Sequence, residues 1–101
     1  MNLIDQHKEQ VVALCRDAGA RRLDAFGSVL RADFDPAVSD LDLLVEFDDL
    51  PPAAYAHAYF ELKDGLERIF GRPVDLVTDS GLANPYFRAR VASERRTVYA
   101  R

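Results

Sequence analysis

The chain has 101 residues, of which 49% are hydrophobic and 30% charged, and its formal net charge is -4. This length fits one domain with a modest core over residues 1–101, and the negative charge gives no indication of nucleic-acid binding through bulk charge. The single cysteine, Cys15, excludes an internal disulfide and every zinc site built from several cysteines. No apolar run approaches membrane-spanning length and residues 1–5 lack a signal-peptide pattern, so we expect a cytoplasmic location.

The first part of the sequence predicts a helix, then a strand, and then the start of a second helix. Apolar residues at helical spacing predict a helix over residues 3–18, and Gly19 is a suitable residue to end it. Residues 22–26 predict a short strand that ends at Gly27. Ser28 is then expected to cap a short helix.

The middle of the chain predicts a strand, a long helix and another strand. Residues 41–47 are nearly all apolar between polar flanks, which is typical of a strand. Pro51-Pro52 opens the clearest helix of the sequence, and Gly71 is expected to end it. Residues 74–78 predict the third strand.

The last part of the chain predicts a helix and an extended segment. Asn84-Pro85 combines a preferred N-cap residue with a proline at the first helical position, and the helix should run to about residue 94. Residues 97–99 are expected to be extended. Strands that alternate with helices predict an α/β (α+β) fold, in which helices pack on a small sheet.

Two acidic residues stand together at the start of the strongest predicted strand. Side chains on a strand alternate between its faces, so Asp40 and Asp42 should point the same way with their Cα atoms about 6.6 Å apart. Two carboxylates in this arrangement can each bind a Mg²⁺ ion or bridge a pair of ions. An Asp-x-Asp pair alone is weak evidence, because most such pairs are solvated loop ends.

Two other features strengthen the interpretation of these acids as a metal site. Gly27 and Ser28 are predicted at a strand-to-helix turn, where the backbone can approach a phosphate and the helix start offers free amides. Asp75 lies in an otherwise apolar strand, where a buried acid should need a cation or a hydrogen-bond donor. On a neighbouring strand, Asp75 would complete a cluster of three carboxylates.

The combination of these motifs resembles the minimal nucleotidyltransferase (MNT) family of the DNA polymerase β-like superfamily. The resemblance extends from about residue 21 to residue 99. Its motifs are Phe26-Gly27-Ser28, Ser39-Asp40-Leu41-Asp42-Leu43-Leu44-Val45-Glu46-Phe47, Val74-Asp75-Leu76-Val77, and the closing segment from Asn84-Pro85-Tyr86-Phe87-Arg88 to Val98-Tyr99.

The resemblance implies a fold, a reaction and a partner. The fold is a small mixed β-sheet flanked by helices, similar to the polymerase β palm, and the reaction transfers AMP from ATP with Mg²⁺, of which two ions are expected. Family members are commonly encoded beside a HEPN-domain toxin, and some act as its antitoxin by AMPylating a toxin tyrosine. A HEPN toxin is therefore the expected protein partner.

The family's site residues are carried over only to the positions that match its motifs. Asp40 and Asp42 match the metal-binding pair, and Asp75 matches the third acid, which binds metal and helps to activate the attacking hydroxyl. Gly27 and Ser28 match the turn that holds the triphosphate.

This chain departs from the family pattern after the Gly-Ser turn. The family usually has Ala-Arg-Gly there, whereas this chain has Leu30-Arg31-Ala32. Arg31 keeps the basic residue and is a candidate nucleotide-binding residue, but Ala32 replaces a glycine. The interval between Ser28 and Asp40 is also one residue longer than usual, and neither departure changes a carboxylate.

The sequence is compatible with three functions. The first is an active protein adenylyltransferase, and the second is an antitoxin that neutralises its toxin by binding alone, which the altered turn keeps open. Because the chain is short, another subunit or the modified protein should enclose the adenine and the acceptor, and a homo-oligomer is one such arrangement. The third, binding of operator DNA, rests only on the arginines of residues 82–101, which also fit ordinary surface charge, and the negative net charge opposes it.

Overall fold

The structure is a computed structural model that describes residues 3–26, 41–78, 85–86, 88–89 and 95–101. Within these ranges the helices and strands follow one another in the order α1 Leu3–Gln6, α2 Lys8–Ala18, β1 Ala20–Phe26, β2 Leu41–Phe47, α3 Pro52–Phe70, β3 Val74–Thr78 and β4 Arg96–Ala100. No helix in the described part of the chain has both the length and the apolar character needed to cross a membrane.

The four strands form one mixed sheet in the order β3-β2-β1-β4. Strand β1 is antiparallel to both of its neighbours, β2 and β4. Strands β2 and β3 are parallel, and α3 provides the crossover that a parallel pair requires. The predicted architecture, a small mixed sheet with helices packed on it, is confirmed.

The sheet has a helix face and a second face, and both carry apolar residues. On the helix face, α2 and α3 pack over alternate strand residues such as Leu23, Leu43 and Leu76 to form the main core. On the second face, Phe26 and Leu44 form a smaller cluster with the partly buried Val77. By strand alternation, the second face of β1, β2 and β3 comprises Arg22, Asp24, Phe26, Asp42, Leu44, Glu46, Asp75 and Val77.

The middle elements agree with the sequence prediction, because local signals define their ends. Strands β2 and β3 have the predicted bounds, and α3 begins at Pro52. Gly71 ends α3 with a φ of 64°, and Gly19 ends α2 with a φ of 80°. Both values lie in the left-handed region that glycine adopts without a steric penalty.

The terminal regions differ from the prediction in detail. The helix expected over residues 3–18 is interrupted at His7, whose amide donates to the Ile4 carbonyl over 3.1 Å in a tighter turn. Residues 85, 86, 88 and 89 are helical as predicted, while the rest of that predicted helix and the helix expected after Ser28 lie outside the described ranges. The extended segment predicted at residues 97–99 forms the edge strand β4.

The apolar side of α3 packs as its spacing predicts. Leu62 and Leu66 are completely buried, and the tyrosines Tyr55 and Tyr59 are partly buried against the same core. Gly65 lies where α2 crosses, because a Cβ atom there would stand only 2.6 Å from a methyl carbon of Leu14. The two helices therefore approach closely over the sheet.

The burial of Cys15 predicts its chemistry. Its side chain has no exposed surface, and burial raises the pKa of its thiol to about 12. At about pH 8 we expect no reaction of the native protein with a disulfide reagent such as Ellman's reagent, and one equivalent of reaction after unfolding in guanidinium. As a control, Ala56→Cys places a thiol on the exposed side of α3 and should react in the native state. A native wild-type thiol that reacts as fast as this control would contradict the prediction.

Candidate active site

Asp42 and Asp75 occupy equivalent positions on two neighbouring parallel strands. Each is the second residue of its strand, and the β2–β3 register pairs Asp42 directly with Asp75. Neighbouring strands lie about 4.8 Å apart, so the two carboxylates emerge side by side. The residues flanking each acid are buried in the helix-face core, namely Leu41, Leu43, Val74 and Leu76, and the acids therefore point to the second face.

Strand β1 ends at the same end of the sheet at which the two acids lie. Phe26, the last residue of β1, pairs with Asp42 across the antiparallel ladder. The described ends of β1, β2 and β3 thus form one row across the second face, Phe26–Asp42–Asp75. The other predicted site residues, Gly27, Ser28, Arg31 and Asp40, lie outside the residues that the structure describes.

The prediction that Asp75 is a buried acid is wrong. Asp75 is exposed, whereas its neighbours Val74 and Leu76 are buried. Val74 and Leu76 point to the helix face, and the Asp75 side chain between them points to the second face. The protein therefore does not need a cation beside Asp75 to remain folded, and the Asp75 carboxylate is accessible from solvent. Asp42 is half-buried in the neighbouring position.

The donors in this row fit a divalent ion. Carboxylate oxygens are the ligands that Mg²⁺ prefers, and Mg²⁺ usually takes one or two protein carboxylates and completes its shell with water and substrate phosphates. Asp42 and Asp75 supply two such groups in register. Among the described residues no group of three His, Cys, Asp or Glu side chains could hold a metal ion, and Asp40 is outside that set.

A second charged group on the same face was not anticipated from the sequence. Asp24, in the middle of β1, is completely buried. Its carboxylate accepts a short hydrogen bond from Arg95 and lies 3.0 Å from the Nε atom of Arg22. Arg95 also approaches Glu46, with 3.7 Å between Nη2 and Oε1. A buried carboxylate is tolerated when cations and donors surround it in this way.

The contacts of Asp24 with Arg22 and Arg95 lie one row of residues away from Asp42 and Asp75 and help to join the strands. Arg22 also donates to the Thr97 hydroxyl over 3.0 Å, which links β1 to β4. Asp24 pairs with Leu44, the next residue on the second face after Asp42. A sequence signal was available, because Asp24 interrupts an apolar strand just as Asp75 does. Its partner could not be found by pattern, since Arg95 is 71 residues away.

The two histidines take no part in this row. The ring of His7 packs edge-on against Phe70 with 5.3 Å between ring centroids. His57 lies on α3 with 82% of its side chain exposed, 3.6 Å from the carboxylate of Glu61. His7 is therefore a packing residue and His57 a surface residue.

Most of the chain is similar to known nucleotidyltransferases. The family model for the nucleotidyltransferase domain matches residues 7–98. Protein adenylyltransferase MntA of Thermococcus cleftensis is 33% identical over 81 residues, which are 80% of this chain and 75% of the relative.

Comparison with solved structures gives the same fold. A structure described as a candidate minimal nucleotidyltransferase superposes with a TM-score of 0.70 and 37% identity, covering 95% of both chains. A second match, from a complex of a tri-AMPylated Shewanella oneidensis HEPN toxin with an MNT antitoxin, has a TM-score of 0.64 and 20% identity. It covers 98% of this chain and 74% of the matched chain. At that identity the second match shows the fold alone.

The Asp24 group predicts a stability difference between two aspartates. Asp24→Asn removes a charge that is completely buried and leaves Arg95 without its main partner, so we expect the free energy of unfolding to fall by about 3 kcal/mol. The control is Asp48→Asn, because Asp48 pairs with Arg101 at the surface, where the arginine hydrogen bond lowers the pKa of Asp48. Urea unfolding followed by circular dichroism should show a much smaller change for the control. Equal changes in the two variants would contradict this assignment.

Proposed function

The chain belongs to the nucleotidyltransferase domain family and is a nucleotidyltransferase, and from this premise we propose that it transfers AMP from ATP to a hydroxyl of a partner protein. The observation that carries the proposal is the pairing of Asp42 with Asp75 on the second face, beside the end of β1. Two carboxylates side by side on one face are an arrangement that metal-dependent phosphoryl chemistry can use.

The acids have separate roles in the proposed reaction. Asp42, with Asp40 before it in the chain, would hold the Mg²⁺ ions that accompany ATP, and Asp75 would contribute the third carboxylate. When bound, two Mg²⁺ ions would neutralise charge on the α-phosphate and on the departing pyrophosphate. The acceptor oxygen forms a bond to the α-phosphorus as the bond to pyrophosphate breaks, and Asp75 directs the acceptor hydroxyl and takes its proton.

The triphosphate is assigned to the segment between β1 and β2. We assign Gly27 and Ser28 to the terminal phosphates, and Arg31 as an additional cationic contact. The position of β1 supports this assignment, because its last residue, Phe26, pairs with Asp42. The chain therefore leaves β1 at the same end of the sheet as the two acids.

The partner in this proposal is a HEPN toxin with a tyrosine acceptor. The relative from T. cleftensis is a protein adenylyltransferase, and one structural match comes from a complex of a tri-AMPylated HEPN toxin with an MNT antitoxin. A protein acceptor also suits the small size of the chain, because the acceptor itself can close the site over the nucleotide.

Transfer of labelled AMP tests the role of the acids. The purified chain is incubated with labelled ATP, Mg²⁺ and the HEPN protein encoded beside it. Asp40→Asn and Asp42→Asn should each lower transfer by about 100-fold or more, since a ligand to the reacting phosphates is lost, while the complex with the partner still forms. Asp49→Asn is the matched control, because Asp49 is an exposed acid just beyond the far end of β2. Neutralisation of the toxin that survives in both site variants would instead favour an antitoxin that acts by binding.

Native mass measurement tests the need for a second protein. We expect the chain to form a defined complex with the HEPN protein, or a homo-oligomer when alone, because another surface has to enclose the nucleotide. A strict monomer that does not bind the HEPN protein would count against the proposal.

A further inference from the structure

Strand β3, which carries Asp75, lies at one edge of the described sheet. Its strand neighbour there is β2. The Pro73 carbonyl points toward β2, because it accepts a hydrogen bond from the amide of Leu41 over 3.4 Å. Alternate residues of a strand direct their backbone groups to opposite sides, so Val74 and Leu76 present theirs to the outer edge. Backbone groups at such an edge need partners or water.

Two side chains of α3 supply these partners. The Glu67 carboxylate accepts a hydrogen bond from the amide of Val74 over 3.0 Å. The Tyr59 hydroxyl donates to the Leu76 carbonyl over 2.7 Å. Asp75 is the residue between the two bonded positions. The helix therefore holds the backbone of β3 on both sides of the acid.

The bond from Glu67 is made by a charged acceptor. The Val74 amide, followed by the Lys63 ammonium, lowers the pKa of the Glu67 carboxyl, so the group is ionised at neutral pH. The same Glu67 oxygen accepts a hydrogen bond from the Lys63 ammonium over 3.1 Å, and this bond fixes the orientation of the Glu67 side chain. Hydrogen bonds to a charged acceptor are stronger than neutral ones. Tyr59 is held independently, because its ring is part of the core packing on the helix face.

We propose that Tyr59 and Glu67 are positioning residues, which fix Asp75 opposite Asp42 through the backbone of β3. The inference rests on the proposed role of Asp75 in nucleotidyl transfer. The β2–β3 pairing and the core set the register of β3. The reaction needs the acid within a fraction of an ångström of its working place, and contacts on the outer side of an edge strand limit the smaller shifts of its backbone. Tyr59 and Glu67 contact the β3 backbone from α3, on the helix face, whereas Asp75 points to the second face, so both residues are placed to act through Asp75.

Two substitutions test the two bonds separately. Tyr59→Phe removes only the hydroxyl, and Glu67→Ala removes the acceptor. We expect each to lower kcat about 10-fold with the KM for ATP changed less than about 2-fold, because ATP binding depends on other residues. Glu67→Gln keeps an oxygen that can accept the hydrogen bond from the Val74 amide. This variant should therefore retain most of the kcat that Glu67→Ala loses.

Matched variants on the same helix serve as controls. Tyr55→Phe removes a hydroxyl from a tyrosine whose ring packs on Phe47 rather than on β3. Glu61→Ala removes an exposed carboxylate whose partner is His57. Both should keep the wild-type kcat, and all variants should unfold cooperatively. If Tyr59→Phe and Glu67→Ala also keep the wild-type kcat while Asp42→Asn abolishes transfer, the positioning inference is overturned and the proposed function stands.

A measurement without turnover separates the inference from the proposed function. Mn²⁺ binding is followed by electron paramagnetic resonance, with Asp75→Asn as the reference for loss of this ligand. Tyr59→Phe and Glu67→Ala should weaken Mn²⁺ binding by about 10-fold, as changes in groups that orient a ligand commonly do. This result would support positioning even if the wild type transferred no AMP and the proposed function failed. Unchanged affinity in both variants, or a wild type that binds no Mn²⁺, overturns the inference.

Discussion

The parallel register of β2 and β3 is the constraint on which the candidate site depends. It places Asp42 opposite Asp75, and the core enforces it, because the residues on either side of each acid are buried on the helix face. A slip of one residue would turn every side chain of β3 to the other face. Asp75 would then be buried while Val74 and Leu76 became exposed, at a cost of several kcal/mol (about 2 for each apolar side chain alone). The same packing that stabilises the fold therefore fixes the spacing of the acids.

The acids of the second face fall into two electrostatic groups. Asp24 is buried and its charge is compensated by Arg22 and Arg95, so it contributes to the joining of β1 and β4. Asp75 is exposed, so water screens its charge. The two groups are one row apart on the same face, with Leu44 beside Asp24 in the register. The buried carboxylate of the second face is thus paired with arginines, whereas the carboxylate of Asp75 is exposed to solvent.

Much of the fold could be predicted because its signals are local. The bounds of β2, α3 and β3 follow from apolar runs, a proline at Pro52 and glycines that adopt positive φ values. Local patterns could not show which side of β3 is buried, and for that reason Asp75 was wrongly expected in the interior. They also could not find the Asp24–Arg95 contact, in which the partners are 71 residues apart. The pairing of Asp42 with Asp75 was expected from a family resemblance, whereas its register is a property of the folded sheet.

Helix α3 connects these observations, because it has three tasks at once. It is the crossover between the parallel strands, its apolar side covers the core, and its polar residues Tyr59 and Glu67 complete the outer edge of β3. The two edge contacts join residues only 17 and 7 positions apart, so little chain entropy is lost when they form. An edge strand held by the helix that precedes it needs no further strand to keep its register. In a domain of this size, the position of Asp75 is therefore coupled to a helix on the opposite face of the sheet.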